Sequence, residues 1–506
     1  MFRPRISSPS YRIISFRRFQ SQFNVAIIGS GPAGFYTAHH LINKDKNVKV
    51  DIFEKLPTPF GLSRYGVAPD HPEVKNCEDT FNEVANKTDQ FKFFGNVTVG
   101  KDISLEELNK RYNAIVFSYG CTQDNHLGIQ GENLPGVISA RKFVGWYNGL
   151  PECKDLNPPL DQVENVVIIG NGNVAIDVAR ILLTPPENLK KTDIASNAIN
   201  FLQKSNLKNV KIVARRGFLE SAFTNKEIRE LLELEQFGIK FEGIDSKIFD
   251  PIVPFKKKFD RVVSRRIDLI LNAMTPPNQR KRLKYSIPEL STKTWSLEYL
   301  KTPMEIYPNS TNSNLVSSIK FQENKLYHDE PDSPAKVKPI PNETNLLKSE
   351  LIITSIGYKG IPIPGMEKLS IVFNDKKGTV LNENGRLIDN SGIPLPGLYS
   401  SGWIRKGSAG VIASTMMDSF TTADLILKDY QDGLLNKDSN TEDLSLKNSV
   451  NWDDWERLNK FEKRLGESLG KHRFKIQNVG KMLEIIRDDS KNEDEQFEKF
   501  KSQFIN

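Results

Sequence analysis

What most constrains this chain is a pattern that occurs twice: a short apolar strand runs directly into a glycine-rich turn, and a helix follows. Residues 24–29 read NVAIIG; Gly29, Ser30, Gly31, Pro32, Ala33 and Gly34 form the turn, and 35–41 continue as a helix-like run. A β-branched run that stops at glycine predicts a buried parallel strand. A second strand over 47–53 (NVKVDIF) ends at Glu54, which completes one βαβ unit. The plan restarts at 165–170 (NVVIIG), with Gly170, Asn171, Gly172, Asn173, Val174 and Ala175 opening a helix through Leu183 that Pro185 and Pro186 stop. Its next strand, 209–214, leads into Arg215 and Arg216.

Each residue type in such a turn has a physical task. The first glycine permits the tight turn, the second lets backbone approach a pyrophosphate, and the third lets helix pack on strand. The helix N-terminus then offers free N–H groups and a partial positive charge to phosphates. Glu54 lies twenty residues beyond Gly34, where a carboxylate accepts from a ribose hydroxyl. That acceptor suits FAD and NAD alike, since both carry a free adenosine ribose. The second unit has alanine at the third glycine position and two guanidiniums in place of the acid. Guanidiniums at that point clamp an added 2′-phosphate. The second unit therefore reads as the NADPH site, leaving FAD, held non-covalently, for the first. A chain holding both is expected to be an oxidoreductase in which hydride passes from nicotinamide to flavin.

Further strands that stop at glycine are expected at 112–120, 350–357 and 397–402. The order predicts an α/β fold of two Rossmann-like dinucleotide-binding domains, the NADP domain inserted into the FAD domain. The FAD domain is assigned residues 21–120 and 358–506, and the NADP domain 121–357. Within the former, 431–450 reads as a polar surface linker before a helical C-terminal tail. Residues 184–209 read as an insertion. The loop from Trp403 through Gly407 to Gly410 opens another helix, whose N-terminal amides would face the end of a flavin that becomes negative on reduction; a packing role for this loop remains open.

Composition narrows the function classes. Five of the net seven positive charges fall in the first twenty residues, which carry four serines, while the first acid of the chain is Asp45. That leader has the composition of a mitochondrial transit peptide, and without it the chain is close to neutral. No nucleic-acid partner is expected. Cys77, Cys121 and Cys153 are dispersed and form no CxxC pair, so no metal site and no dithiol centre is predicted. No apolar stretch is long enough for a membrane helix.

Several longer segments resemble the mitochondrial adrenodoxin reductase family of NADPH-dependent ferredoxin reductases, in its fungal type. They are 29–38 (GSGPAGFYTA), 59–76 (PFGLSRYGVAPDHPEVKN), 134–152 (LPGVISARKFVGWYNGLPE), 172–187, 215–230 (RRGFLESAFTNKEIRE), 354–359 (TSIGYK) and 401–412 (SGWIRKGSAGVI). The resemblance spans about residues 24–460; the leader, the stretch near 320–345 and the polar linker diverge. It implies that Ala33, Glu54, Leu62, Val99, Trp403, Gly410, Val411 and Ile412 meet FAD. It implies that the turn from Gly170 to Asn173, with Arg215, Arg216, Glu227 and Gly410, meets NADP. His71 and Asp177 match a pair that the family places near the flavin. From the residues alone His71 reads equally as a loop histidine, and Asp177 as a helix residue beside the nucleotide.

The resemblance further implies electron delivery, one at a time, to a small acidic [2Fe–2S] ferredoxin docked on basic residues. Arg229, Arg261 and Arg265 fall at the matching places, with Lys256, Lys257, Lys258 and Arg266 nearby; an ordinary solvated helix face is the alternative. The implied location is the mitochondrial matrix, with at most peripheral association with the inner membrane. Rival readings are a glutamate-synthase-like flavin subunit, against which stands the lack of cysteine before Cys77, and a non-catalytic protein that binds FAD and NADP.

Overall fold

The computed structural model describes residues 22–504 except 281–284, 289–292, 330–334, 436, 441–443 and 489–492. The basic leader expected as a targeting segment lies outside the described residues. The chain begins with β1 (Phe23–Ile28), α1 (Pro32–Lys44), β2 (Val48–Phe53), α2 (Cys77–Ala85), β3 (Phe91–Phe94) and β4 (Ala114–Phe117). Next come β5 (Val137–Ser139), β6 (Asn165–Ile169), α3 (Asn173–Leu183), β7 (Asn209–Val213), α4 (Asn225–Glu233), β8 (Lys240–Ile244), α5 (Arg261–Met274) and β9 (Thr294–Glu298). Then follow β10 (Lys301–Pro308), β11 (Val316–Tyr327), β12 (Lys336–Lys348), β13 (Leu351–Thr354), β14 (Asn382–Glu383), β15 (Arg386–Ile388) and β16 (Pro394–Ser400). The long helices α6 (Ile412–Gln431) and α7 (Trp452–Ser468) lead into the C-terminal region.

Two sheets organise these elements. One has the order β14-β15-β16-β4-β1-β2-β3 and the other β5-β13-β6-β7-β9-β8. Both are parallel at their centres: β1 pairs with β2 and β4, and β6 with β7 and β13. Every residue of β1 is buried, as expected of a central strand covered on both faces. α1 packs on α6 over the first sheet. Phe35, Phe60, Phe81 and Trp452 cluster there with ring centroids 4.9–6.1 Å apart, anchoring the start of α7 to the same core.

The third sheet, β10-β11-β12, is antiparallel and was not anticipated. Its outer strands carry Pro303, Pro308, Pro339 and Pro341, which mask a strand signal in sequence but are tolerated at sheet edges. Ile306, Val316, Ile319, Phe321 and Leu347 bury its inner face against the second sheet. Residues 184–209, read as an insertion, form two short helices and bury Leu189, Ile194, Ala198 and Leu202 in the second core. Of the stretch expected as a surface linker, described residues at both ends contact the first sheet. There Asn113 donates to the carbonyls of Leu435 and Lys437, and Val450 pairs with Gly95.

Candidate functional site

At the first turn Gly29 has φ +102°, and a Cβ there would come within 2.6 Å of the Tyr119 backbone. A Cβ on Gly34 would stand 2.1 Å from the Gly29 carbonyl oxygen, so glycine is what lets α1 close onto β1. Gly31 is different: a Cβ there would meet nothing within 4 Å. The middle glycine thus faces open space, as an approaching pyrophosphate requires. Glu54 is held beside the turn, accepting from the Ser30 amide (3.1 Å), the Ser30 hydroxyl (2.8 Å) and the Leu56 amide (3.0 Å).

The second turn repeats this geometry. Gly170 has φ +129° with its would-be Cβ 2.1 Å from the Ser355 carbonyl, while Gly172 faces open space. Ala175 occupies the third position and is fully buried. Asn173 braces the turn by accepting from the Thr224 amide at 2.8 Å. Arg215 and Arg216 lie exposed just past β7, and among the described residues neither has an ion-pair partner. Their backbone is fixed, since Arg216 accepts from the Leu300 amide at 3.1 Å.

The helix starts differ in their capping. α4, α5 and α7 have side-chain caps from Thr224, Asp260 and Asn451. α1, α3 and α6 begin at Gly31, Gly172 and Val411 with no side-chain cap. Uncapped first-turn amides suit an anionic ligand; these three starts fall at glycine loops singled out in the sequence, whereas α2, also without a side-chain cap, continues directly from the 3-10 turn Pro72–Asn76.

The third loop closes on the first turn. A Cβ on Gly402 would be 2.6 Å from that of Ala33, and the Gly402 amide donates to the buried Asp418 at 2.8 Å. Asp418 also pairs with Arg405 at 2.7 Å. Ser408 ties the loop to Tyr358, accepting from its amide and donating to its carbonyl. Trp403 is half-buried near the Tyr358 ring, Val99 is buried, Leu62 and Val411 are exposed at 42% and 50%, Gly410 is exposed and Ile412 half-buried. Tyr358, Ser408 and Asp418 were not singled out in the sequence, since single polar residues in strand ends and helices carry no local signal.

His71 and Asp177 come together with Glu227, their ligand atoms lying within 4.8 Å of one another. The His71 ring reaches Glu230 at 2.7 Å and Glu227 at 4.0 Å. Arg180, 3% exposed, faces the same carboxylates, with Asp177 at 2.8 Å, Glu227 at 3.4 Å and Asp70 at 2.7 Å. A guanidinium therefore supplies the positive charge that a cation would bring. Burial, the largest single influence, lowers the His71 pKa, but the bond to Glu230 together with the charges of Asp70 and Glu230 outweighs it and the net shift is upward. Burial, aided by the Asp177 charge, pushes Glu227 up to about 7. Asp177 is raised chiefly by burial, with Arg180 opposing. Arg180, Asp70 and Glu230 escaped the sequence reading because the contacts from Arg180 to Asp70 and Glu227, and from Glu230 to His71, join residues distant in the chain.

The expected basic patch divides. Arg261 and Arg265 are exposed on α5, and Arg229 is half-buried on α4. Arg266, counted with the patch, is instead a buried brace that donates to the carbonyls of Ser221 (2.9 Å) and Phe223 (3.0 Å). It faces inward because, at this point of α5, the helix side turned to α4 buries Ile267 and Ile270 as well. Lys256 is paired with Asp268. Cys77, Cys121 and Cys153 are all free thiols.

Comparison with known proteins accords with this geometry. Residues 23–243 match the family model of pyridine nucleotide-disulphide oxidoreductases. The chain is 44% identical to the probable mitochondrial NADPH:adrenodoxin oxidoreductase of Saccharomyces cerevisiae, over 92% of this chain and 97% of that one. It is 39% identical to the human mitochondrial NADPH:adrenodoxin oxidoreductase, over 96% of each. Among solved structures it is similar to FprA of Mycobacterium tuberculosis in complex with NADPH, with a TM-score of 0.79 and 33% identity over 92% of this chain and all of that one.

Proposed function

The chain belongs to the family of mitochondrial NADPH:adrenodoxin oxidoreductases, and from that premise we propose how its own residues divide the work. It is an NADPH-dependent flavin oxidoreductase that passes electrons to an adrenodoxin-type ferredoxin. FAD, when bound, accepts a hydride from NADPH and releases its electrons one at a time.

The observation that carries the division of labour is the contrast at the two strand ends. Glu54, oriented by Ser30 and Leu56, accepts from the FAD ribose, and the open backbone at Gly31 and the free amides of α1 receive the pyrophosphate. Arg215 and Arg216 clamp the 2′-phosphate of NADPH, with Gly172 open to its pyrophosphate. Gly402, Trp403 and Gly410–Ile412 enclose the flavin end, and Asp418 holds that loop in place. His71, Asp177 and Glu227 sit together at the junction of the two units, where burial pushes Glu227 up to about 7, so that it exchanges a proton near neutral pH. In this reading the FAD domain comprises 21–120 and 358–506, and the NADP domain 121–357.

The partner is an acidic [2Fe–2S] ferredoxin docking on Arg229, Arg261 and Arg265, and the enzyme works in the mitochondrial matrix. Steering of an acidic protein by exposed guanidiniums falls with salt. Sequential mixing of the holoenzyme with NADPH and then with oxidised ferredoxin tests the reading: the flavin bands bleach, then recover as the ferredoxin is reduced. Bleaching without ferredoxin reduction overturns the acceptor. Arg229→Glu is expected to slow ferredoxin reduction about tenfold at low salt, and reduction of a small dye hardly at all. Equal slowing of both would place Arg229 at the nucleotide.

A further inference from the structure

The segment between β2 and α2 of the first unit carries an alternating run of charge, Asp70, His71, Glu73 and Lys75, in the 3-10 turn Pro72–Asn76 and just before it. Each of these four side chains meets an opposite charge from the second unit. Asp70 receives two hydrogen bonds from Arg180 of α3, at 2.7 and 3.1 Å. His71 meets Glu230 of α4, as described above, and one turn earlier on that helix Lys226 pairs with Glu73 at 2.8 Å. Lys75 pairs with both carboxylate oxygens of Asp193, at 2.7 and 2.6 Å, in the segment between the two short helices after α3.

These pairs differ in weight. Glu73 and Lys226 are each about half exposed, so their attraction is screened. Asp193 is 7% and Lys75 13% exposed, and Arg180 is buried, so the two ends of the run are held in low dielectric. Asp193 has a second partner: Lys475, from the chain beyond α7, reaches it at 2.9 Å and also donates to the Arg64 carbonyl. The outer end of the run is therefore tied to the second unit and to the C-terminal region at one carboxylate.

We propose that residues 70–75 are the clasp that sets the second unit against the first, with Lys75 and Asp193 as positioning residues for hydride transfer between the two dinucleotides. The inference rests on the function proposed above, in which hydride crosses from one unit to the other. Transfer needs the reacting atoms near 3–3.5 Å, and a misplacement of about 1 Å costs on the order of a hundredfold in rate. Four charge pairs along one short segment resist sliding in either direction: displacement by one residue would set Asp70 against Glu230, or His71 against Arg180, and would leave Lys226 and Asp193 facing uncharged residues.

The test is stopped-flow flavin reduction at saturating NADPH, with FAD content and NADPH affinity measured alongside. Lys75→Met leaves Asp193 its contact with Lys475 at 2.9 Å, and the FAD content reports whether the fold is retained. Its reduction rate is expected to fall about tenfold, with FAD content and NADPH affinity within about twofold of wild type, and Lys75→Arg is expected to restore most of the rate. A wild-type rate in Lys75→Met, or a slow rate accompanied by loss of FAD, overturns the clasp. The exposed pair supplies a second test that does not endanger folding. Glu73→Lys is expected to slow reduction about two- to fivefold at low salt, and adding Lys226→Glu is expected to restore it. A double variant no faster than the single overturns the proposal. If NADPH fails to bleach the flavin of the wild type, the proposed function fails first and the clasp falls with it.

Discussion

The two glycine turns share a backbone plan and diverge at two positions. The first needs glycine at its third position, where a Cβ would stand 2.1 Å from a carbonyl oxygen, and it places a carboxylate at the end of the next strand. The second accommodates Ala175 at the same position and ends its strand in two exposed guanidiniums. A shared turn recognises what all dinucleotides have in common, the pyrophosphate. Discrimination is left to one or two side chains at the next strand end, where the ribose lies.

The comparison is sharpened most strongly at the third position. Gly34→Ala drives a Cβ into backbone, and bound flavin in the purified protein is expected to fall more than about tenfold, read from its visible absorbance. Ala175→Gly leaves the flavin in place and costs about 1 kcal/mol of stability, the usual penalty of glycine within a helix, read by denaturant unfolding. Equal tolerance at both positions would break the contrast. The next effect is at Glu54. A charge-assisted hydrogen bond is worth about 1.5–3 kcal/mol, so Glu54→Ala is expected to weaken FAD binding about ten- to a hundredfold, measured by reconstitution of the apoprotein. The preference for NADPH over NADH should not move.

The smallest effect lies where the two units meet. The pKa of His71 is raised by its bond to Glu230, so the stability this pair contributes is fully present below about 6.5, the ordinary imidazole value. It is lost as pH rises through the raised folded value. The melting temperature of wild type should therefore exceed that of His71→Gln by about 2–4 °C at pH 6, and the gap should close by pH 9. A gap independent of pH would mean that packing, not charge, holds His71.

Much of this was legible in the sequence because it is local. Gly29 to Gly34 and Gly170 to Ala175 announce strand, turn and helix within a dozen residues, and Glu54 and Arg215–Arg216 each stand at the end of the strand that follows. The junction was legible only in part. Resemblance picked out His71, Asp177 and Glu227, but Arg180, Asp70 and Glu230, which bind them together, come from three segments that only the folded chain unites. Arg266 misled because a guanidinium among other basic residues reads as surface, whereas the backbone carbonyls of Ser221 and Phe223 draw it inward. The antiparallel sheet was hidden by prolines on its two edge strands, where proline is tolerated.

The measurement closest to the central claim is titration of the FAD-loaded protein with adenosine 2′,5′-bisphosphate, compared between wild type and the double variant Arg215→Ala with Arg216→Ala. The account predicts that binding weakens about ten- to a hundredfold in the variant, while flavin content and spectrum stay as in wild type. Unchanged binding, or loss of flavin with the nucleotide site intact, would contradict the assignment of the two dinucleotides to the two turns.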